Sequence, residues 1–206
     1  MRLLSGVDER LRMAGYAKVA GVDEAGRGCL AGPVVAAAVV LKPGYVLPGV
    51  DDSKNLGVEL RERLAEAIKE SALTWSVNSV SPAVIDCTNI LDATRRAMLE
   101  CLQDLDPKPD CAVLDAVRLS SQRYPCLGLV RGDAISYCVA SASILAKVDR
   151  DRQMRELDRE YPQYGFAKHK GYGAAEHREA LAEYGPSPVH RLTFRSVLPR
   201  TDEAVA

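Results

Sequence analysis

From Pro33 to Leu41 the chain reads Pro-Val-Val-Ala-Ala-Ala-Val-Val-Leu, without one polar side chain. The stretch is too short to cross a bilayer, which takes about 20 apolar residues in a helix. Its length and its wealth of Val and Ala predict a buried strand instead. Upstream, Ala17 to Asp23 reads as a second strand, and Ala25-Gly26-Arg27-Gly28 as the Gly-rich turn that joins the two. A buried hairpin at the start has to be covered, and the segments that follow supply helices to cover it.

Val58 to Ser71 carries apolar or small residues at 60, 64, 65 and 68, a helical period. Leu73 to Val80 alternates Leu, Trp and Val against Thr, Ser and Asn, as a half-buried strand does. Ser81 and Pro82 open a helix. Positions 90, 94, 97, 98, 101, 102 and 105 outline another, which Asp106-Pro107-Lys108-Pro109 ends. Cys111 to Leu114 and Leu127 to Val130 are short apolar strands. Ala134 to Tyr161 reads as one long helix, small and apolar at first and charged from Asp149 on, its arginines at 150, 152, 155 and 159 suiting a solvated face. Tyr161 to Tyr172 reads as a loop, and Ala174 to Tyr184 as a last helix. Strands first in a hairpin and then alternating with helices predict an α/β fold, its mixed sheet antiparallel early and parallel late.

A chain of 206 residues suits a single domain, 1–206. Six cysteines without a CxxC pair read as reduced, mostly buried thiols, and with three histidines a structural zinc site is not expected. The charged residues between Met1 and Arg12 do not form a signal-peptide core, so the expected location is the cytoplasm. A net charge of −1 lacks the strongly basic signature of many nucleic-acid binders, yet it leaves room for a local basic patch.

Four acids stand where acids are expensive. Asp23 and Glu24 end one apolar strand, Asp115 ends another, and Asp133 follows a third. In α/β sheets, ligand sites gather beyond the carboxyl ends of parallel strands. Converging carboxylates repel one another and lose solvation, so they call for a cation. An all-oxygen donor set matches Mg²⁺ or Mn²⁺. Each acid alone could equally be a cap or loop decoration, and Asp133, just before a helix, most of all. Adjacent strand residues face opposite ways, so Asp23 and Glu24 can share a site only where the strand ends or bends. Beside them, Gly26-Arg27-Gly28 lets a backbone approach a ligand closely. Asp52-Ser53-Lys54 could meet a phosphate ahead of a helix. The segment from Tyr164 to Gly173 gathers aromatics with Lys168 and Lys170, suited either to stacking and phosphate contact or to an ordinary loop with its rings packed inward.

In combination these motifs are specific. Val22-Asp23-Glu24-Ala25-Gly26-Arg27-Gly28 resembles the opening signature of the type 2 ribonucleases H, the ribonuclease HII family. The resemblance continues in order through Asp52-Ser53-Lys54, Asn89-Ile90-Leu91, Leu114-Asp115, Gly132-Asp133-Ala134, the stretch from Ala140 to Val148, and His169-Lys170-Gly171-Tyr172. It covers residues 16–195 approximately. It implies a ribonuclease H-like fold with a core over about 16–160 and a C-terminal helical extension over about 161–198. It also implies hydrolysis of the RNA strand of RNA–DNA hybrids, with cutting on the 5′ side of single ribonucleotides embedded in duplex DNA.

By matching position, Asp23, Glu24, Asp115 and Asp133 become the catalytic, metal-binding carboxylates, serving two Mg²⁺ or Mn²⁺ ions. Gly26, Arg27 and Gly28 would read the ribose 2′-hydroxyl and Tyr172 would stack on the neighbouring deoxyribose. Lys54, Lys147 and Lys170 would lie near phosphates. The expected partners are RNA–DNA hybrids and ribonucleotide-containing duplex DNA, with no membrane, for a monomer whose replication or repair protein partner stays open. In two places the chain departs from the family pattern. Gly173-Ala174 stands where Pro-Thr is common, which loosens the Tyr172 loop, and Ala116 replaces the usual glycine after Asp115. Two other readings share many of these features: a nuclease of the same fold that cuts only DNA, and a hybrid-binding module without catalysis.

Overall fold

The computed structural model describes residues 6–45, 56–119 and 123–198. The chain runs α1 (Gly6–Met13), β1 (Val19–Ala25), β2 (Val34–Leu41), α2 (Val58–Ser71), β3 (Ala72–Val80), α3 (Pro82–Cys87), α4 (Ile90–Asp104), β4 (Cys111–Asp115) and β5 (Cys126–Leu129). A 3₁₀ turn (Gly132–Ala134) leads into α5 (Tyr137–Glu160), and a second (Pro162–Tyr164) into α6 (Phe166–His169) and α7 (Ala175–Tyr184). The five strands lie in the order β3-β2-β1-β4-β5. β1 pairs antiparallel with β2, and β2 with β3. β4 lies parallel to both β1 and β5. The expected mixed sheet is therefore present, antiparallel in its first strands and parallel in its last.

Both faces of the sheet are covered. On one, Ala20 and Val22 of β1, Ala36 and Ala38 of β2 and Leu114 of β4 pack against Ala97, Met98, Cys101 and Leu102 of α4. On the other, Ala37, Val39 and Leu41 meet Leu64 and Ile68 of α2 and Ala142, Ile144 and Leu145 of α5. Double coverage is why β2 is an unbroken apolar run rather than an alternating one. Contact is closest at Gly21, where an added Cβ would sit 2.0 Å from the carbonyl carbon of Cys138 and 2.1 Å from the amide nitrogen of Val139. The main chains of β1 and α5 thus touch, and α5 lies directly against the central strand.

β3 is an edge strand, and its alternation is only half obeyed. Ser76 turns inward and donates to the Cys101 carbonyl (2.7 Å), whereas Trp75 is 39% exposed. The Trp75 ring is partly shielded by the Lys69 ammonium, 5.5 Å from its centroid.

Several boundaries differ from the sequence expectation. The long helix begins at Tyr137 rather than Ala134, because Ser136 is its N-cap: the Ser136 side chain accepts from the Val139 amide at 3.1 Å. Nothing periodic announces α1. It is fixed by tertiary contacts, with Val7 and Leu11 packed beside Val19 and Val113. Buried Asp8 accepts hydrogen bonds from the Ser136 hydroxyl (2.6 Å) and the Cys138 amide (3.2 Å). The segment from Tyr161 to Tyr172 is not a plain loop. It folds into the second 3₁₀ turn and α6, with Tyr164 and Phe166 stacked 5.3 Å apart inside a separate small core that also holds Leu30, Met154 and Leu181.

Arg150, expected on a solvated face of α5, is fully buried. Cys29, Cys101, Cys111 and Cys138 are buried free thiols, as expected, while Cys87 is exposed. Among the described residues no helix is long and apolar enough to cross a membrane.

Candidate active site

β1 and β4 run side by side, with Val22 paired to Leu114, so the next residues of each strand, Asp23 and Asp115, emerge together at the carboxyl end of the sheet. Glu24 stands on the opposite face of β1 but comes to the same place, because the strand ends at Ala25 and the chain turns at Gly26 (φ +93°). Asp23, Glu24 and Asp115 all line a cavity of about 380 Å³. The Gly26-Arg27-Gly28 turn and Tyr172 form another part of its wall, and Arg61, Ser143 and Lys147 close it from α2 and α5.

The carboxylates are electrostatically strained. Burial, followed by the neighbouring Glu24 charge, pushes the Asp23 carboxyl well above the usual carboxylate range, against hydrogen bonds from Ser143 and the Glu24 amide. The latter donates to Asp23 Oδ1 at 2.8 Å. Burial also raises Glu24, opposed by Arg27, whose Nη1 lies 3.1 Å from Glu24 Oε1. Glu24 Oε2 is buried without a hydrogen-bond partner among the described residues. A buried carboxylate oxygen lacking a donor is costly and suits a cation.

Asp115 Oδ1 accepts the Gly132 amide at 2.8 Å, which ties the end of β4 to the turn that carries Asp133. Asp133 itself is one residue further on and is not among the residues lining the cavity. Nor is it the cap of α5, since Ser136 holds that place. Among the described residues, no three His, Cys, Asp or Glu side chains already stand as a metal cage. Ala116 adopts φ +50°, which makes plain why glycine is usual there: a left-handed residue with a Cβ costs about 1–2 kcal/mol.

The basic groups are arranged in two layers. Lys147 Nζ lies 2.7 Å from Asp151 Oδ1, and Arg61 Nη1 lies 3.5 Å from Asp151 Oδ2. One buried carboxylate therefore holds two cations at the cavity wall. Lys170, by contrast, folds its ammonium back onto the Ala167 carbonyl and does not line the cavity. Lys54 lies outside the described residues.

Tyr172 is 47% exposed. Its carbonyl lies 2.8 Å from His177 Nδ1. A carbonyl can only accept, so that nitrogen carries the proton, and His177 Nε2 is left to accept from His190 Nε2 at 3.0 Å. Burial pushes His190 down to about 4, which keeps this pair neutral.

Arg61, Ser143, Asp151, Arg150 and Arg191 were not singled out from the sequence. Ser143, Lys147 and Asp151 recur every fourth residue, a spacing that puts them on one face of a helix and could have flagged the first and last. Arg61 and Arg191 reach the site through tertiary folding alone.

A family model described as Ribonuclease HII matches residues 20–197. The chain is 52% identical over 180 residues to the ribonuclease HII of Ruminiclostridium cellulolyticum, covering 87% of this chain and 71% of that one. To the ribonuclease HII of Chloroflexus aurantiacus it is 51% identical over 197 residues, 93% of each chain. Among solved structures, the ribonuclease H2 of Pyrococcus horikoshii OT3 superposes with a TM-score of 0.76 at 28% identity, over 87% of this chain and 95% of that one. The ribonuclease HII of Archaeoglobus fulgidus, solved in complex with PCNA, gives 0.72 at 28% identity over 89% and 98%. A Bst-RNase HIII in complex with Mn²⁺ shares the fold at 20% identity, with a TM-score of 0.69 over 88% of this chain and 68% of that one. With its strand-end carboxylates, its glycine turn and a family match spanning most of its length, this chain belongs to the ribonuclease HII family and is a ribonuclease H.

Proposed function

We propose that this ribonuclease hydrolyses the RNA strand of RNA–DNA hybrids and cuts on the 5′ side of single ribonucleotides embedded in duplex DNA, using two divalent cations. The observation that carries the proposal is the shared cavity: the glycine turn and the three carboxylates line one space, so a ribose seated at the turn would have its phosphodiester beside the acids. The 2′-hydroxyl is the group that distinguishes RNA from DNA, and a selective nuclease must touch it. Main-chain groups of Gly26 and Gly28 reach such a hydroxyl without side-chain hindrance, while the Arg27 guanidinium, 42% exposed, is free to swing from Glu24 to a phosphate. The half-exposed face of Tyr172 offers a stacking surface for the adjacent sugar.

Asp23, Glu24 and Asp115 fit divalent cations by their chemistry: hard oxygen donors, mutual repulsion, and the unpartnered Glu24 Oε2. Asp133, carried on the turn that Asp115 holds, is proposed as the fourth carboxylate of the set. When bound, Mg²⁺ or Mn²⁺ supplies the charge that activates the attacking water and neutralises the leaving oxygen. Water oxygen bonds to phosphorus, the bond to the 3′-oxygen breaks, and the products are a 3′-hydroxyl and a 5′-phosphate. Lys147 and Arg61, held at the wall by Asp151, are placed to neutralise non-bridging phosphate oxygens. Lys170 can join them only by rotating away from Ala167, and Lys54 is proposed as a further phosphate contact on the family pattern alone. The deoxyribonuclease and the non-catalytic binding module are the rivals.

The test is an end-labelled DNA duplex with one ribonucleotide beside an all-DNA control, each with Mg²⁺, Mn²⁺ or EDTA. A single metal-dependent cut 5′ to the ribonucleotide, absent from the control, is the expected result. Cutting of the control would favour the deoxyribonuclease. Binding without a cut in any metal would favour the module.

A further inference from the structure

Arg150 and Arg191 are the largest fully buried side chains in the molecule's described residues. A buried charge is normally paired with an opposite one. Here the hydrogen bonds go elsewhere. Arg150 donates from Nε to the Pro33 carbonyl (3.1 Å), from Nη1 to that of Lys170 (2.9 Å) and from Nη2 to that of Ala31 (3.2 Å). Arg191 donates from Nε to the Gly32 carbonyl (3.0 Å) and from Nη1 to that of Arg27 (2.9 Å). All five acceptors are main-chain carbonyls, and they belong to only two segments, 27–33 and residue 170. Burial lowers Arg191 to about 10, so it stays protonated at neutral pH.

These two segments carry or adjoin the parts of the cavity wall to which substrate contact is assigned above, Gly26–Gly28 and Tyr172. Arg150 packs under the back of the turn so closely that a Cβ on Gly26 would lie 1.9 Å from its Nε. Its guanidinium is also 6.0 Å from the centre of the Tyr172 ring. Main-chain bonds complete the lashing: the Leu30 amide to the Gly171 carbonyl (2.8 Å), the Gly32 amide to that of Val189 (2.8 Å) and the Arg191 amide to that of Leu30 (2.9 Å). A lysine in either place could not reach carbonyls lying in several directions, because its three donors radiate from a single atom whereas a guanidinium presents five in a planar fork. Asp86 is the one carboxylate whose charge reaches Arg191, yet among the described residues no ion pair joins either guanidinium. Two such buried cations are a costly way to fill space that apolar side chains would fill at less cost. Their distribution over those two segments indicates what they do.

We infer that Arg150 and Arg191 are positioning residues for ribonucleotide selectivity: from behind, they hold the Gly26–Gly28 turn and the Tyr172 loop in one fixed mutual register. This rests on the substrate roles proposed above for the turn and for Tyr172. The two arginines decide which substrate is cut more than how fast the carboxylates cut it.

The test compares wild type with R150K and R191K on three duplexes: one ribonucleotide in DNA, a uniform RNA–DNA hybrid, and all DNA, with kcat and KM measured for each substrate that is cut. The expected result is a fall of between ten- and a hundred-fold, roughly, in kcat/KM for the single ribonucleotide relative to the hybrid, the scale set by small misplacements of a bound substrate. A role in folding alone would lower both substrates together in step with the folded fraction, and that outcome overturns the inference. If the wild type discriminates against DNA while both variants keep its ratio, the turn still reads the ribose and the arginines do not position it. If the wild type cuts all three alike, the turn does not read the ribose and the inference falls with that reading. Should neither variant fold, hydrogen exchange on the wild type decides. The Leu30, Gly32 and Arg191 amides are expected to exchange as slowly as those of β1, and exchange at unprotected rates overturns a fixed register.

Discussion

Asp23, Glu24 and Asp115 on one side of the cavity, and Gly26, Arg27, Gly28 and Tyr172 on the other, are supported in opposite ways. The acids come from the ends of two buried strands, repel one another, and leave one buried oxygen without a partner. The turn and the tyrosine loop are anchored from behind by cationic and neutral donors: Arg150, Arg191 and the His177–His190 pair. One side keeps a buried oxygen without a donor among the described residues, while the other has its main-chain carbonyls taken up by donors behind it. On the proposed function, such a division would leave the cation to govern whether the enzyme cuts and the turn to govern what it cuts. Selectivity then draws on protein rigidity, while rate draws on metal charge.

The sharpest way to break this contrast is Asp23→Asn. If Asp23 holds a cation as proposed, losing its carboxylate should lower kcat roughly a thousand-fold, equivalent to several kcal/mol, on hybrid and single-ribonucleotide substrates alike. A substrate-dependent loss would mean that the acid side also selects.

Next in size is the response to cation. With Mn²⁺ at a hundred times its dissociation constant, binding stabilises the fold by about 2.7 kcal/mol, a melting rise of roughly 5–11 °C for a chain of this size. The pH dependence follows from the direction of the Asp23 shift. Its folded carboxyl sits above the ordinary aspartate value of 3.8, so the metal-free fold binds the proton more tightly than the unfolded chain does. Stability from this group is complete below 3.8 and is lost as pH rises through the higher folded value. The cation's benefit should therefore grow over that same window, and calorimetry at stepped pH with Mn²⁺ or EDTA would show it. An Asp23→Asn protein should lose most of both effects.

On the opposite side, Gly26→Ala introduces a Cβ against Arg150 at a positive φ. It should cost about 1–3 kcal/mol in strain and degrade single-ribonucleotide selectivity by about tenfold or more, with hybrid cleavage less affected. Tyr172→Ala should produce a loss of similar sense and smaller size, near the lower end of the about 1–3 kcal/mol attributed to stacking.

The smallest effect belongs to Ala174→Thr. Ala174 is the N-cap of α7 and has no side-chain oxygen to offer, so a hydroxyl there should add about 1 kcal/mol, read as a melting rise of a few degrees. If the Tyr172 loop is already as firmly held as the His177 and Arg150 contacts imply, activity should not change.

Much of the architecture is legible because β2 is an unbroken apolar run and α2 carries a helical period, and three of the four acids meet in one cavity because each stands at the end of a strand that hydrophobicity alone reveals. Asp133 shows the limit of that logic. It follows a strand as predicted, yet what orients it is a 3₁₀ turn held by Asp115, a tertiary contact with no signature in local sequence. α1 escapes a reading of the sequence for the same reason, being an eight-residue helix with four charged side chains, held by one buried aspartate and two apolar contacts. Arg150 was misplaced because a row of alternating charges on a helix ordinarily faces water. Only the fold reveals that one of them points into the back of a glycine turn.

Gly21 carries a consequence beyond packing. Its missing side chain lets α5 rest on the backbone of β1, and Ser143, Lys147 and Arg150 all project from that helix. Strand and helix therefore share a reference surface, as two machined parts do when bolted face to face. The separation between the acids of β1 and the hydroxyl, ammonium and guanidinium of α5 is set two residues upstream of Asp23, in the dry interior. A single methyl at Gly21 would act as a shim, lifting one whole bank of functional groups away from the other while leaving each of them chemically intact.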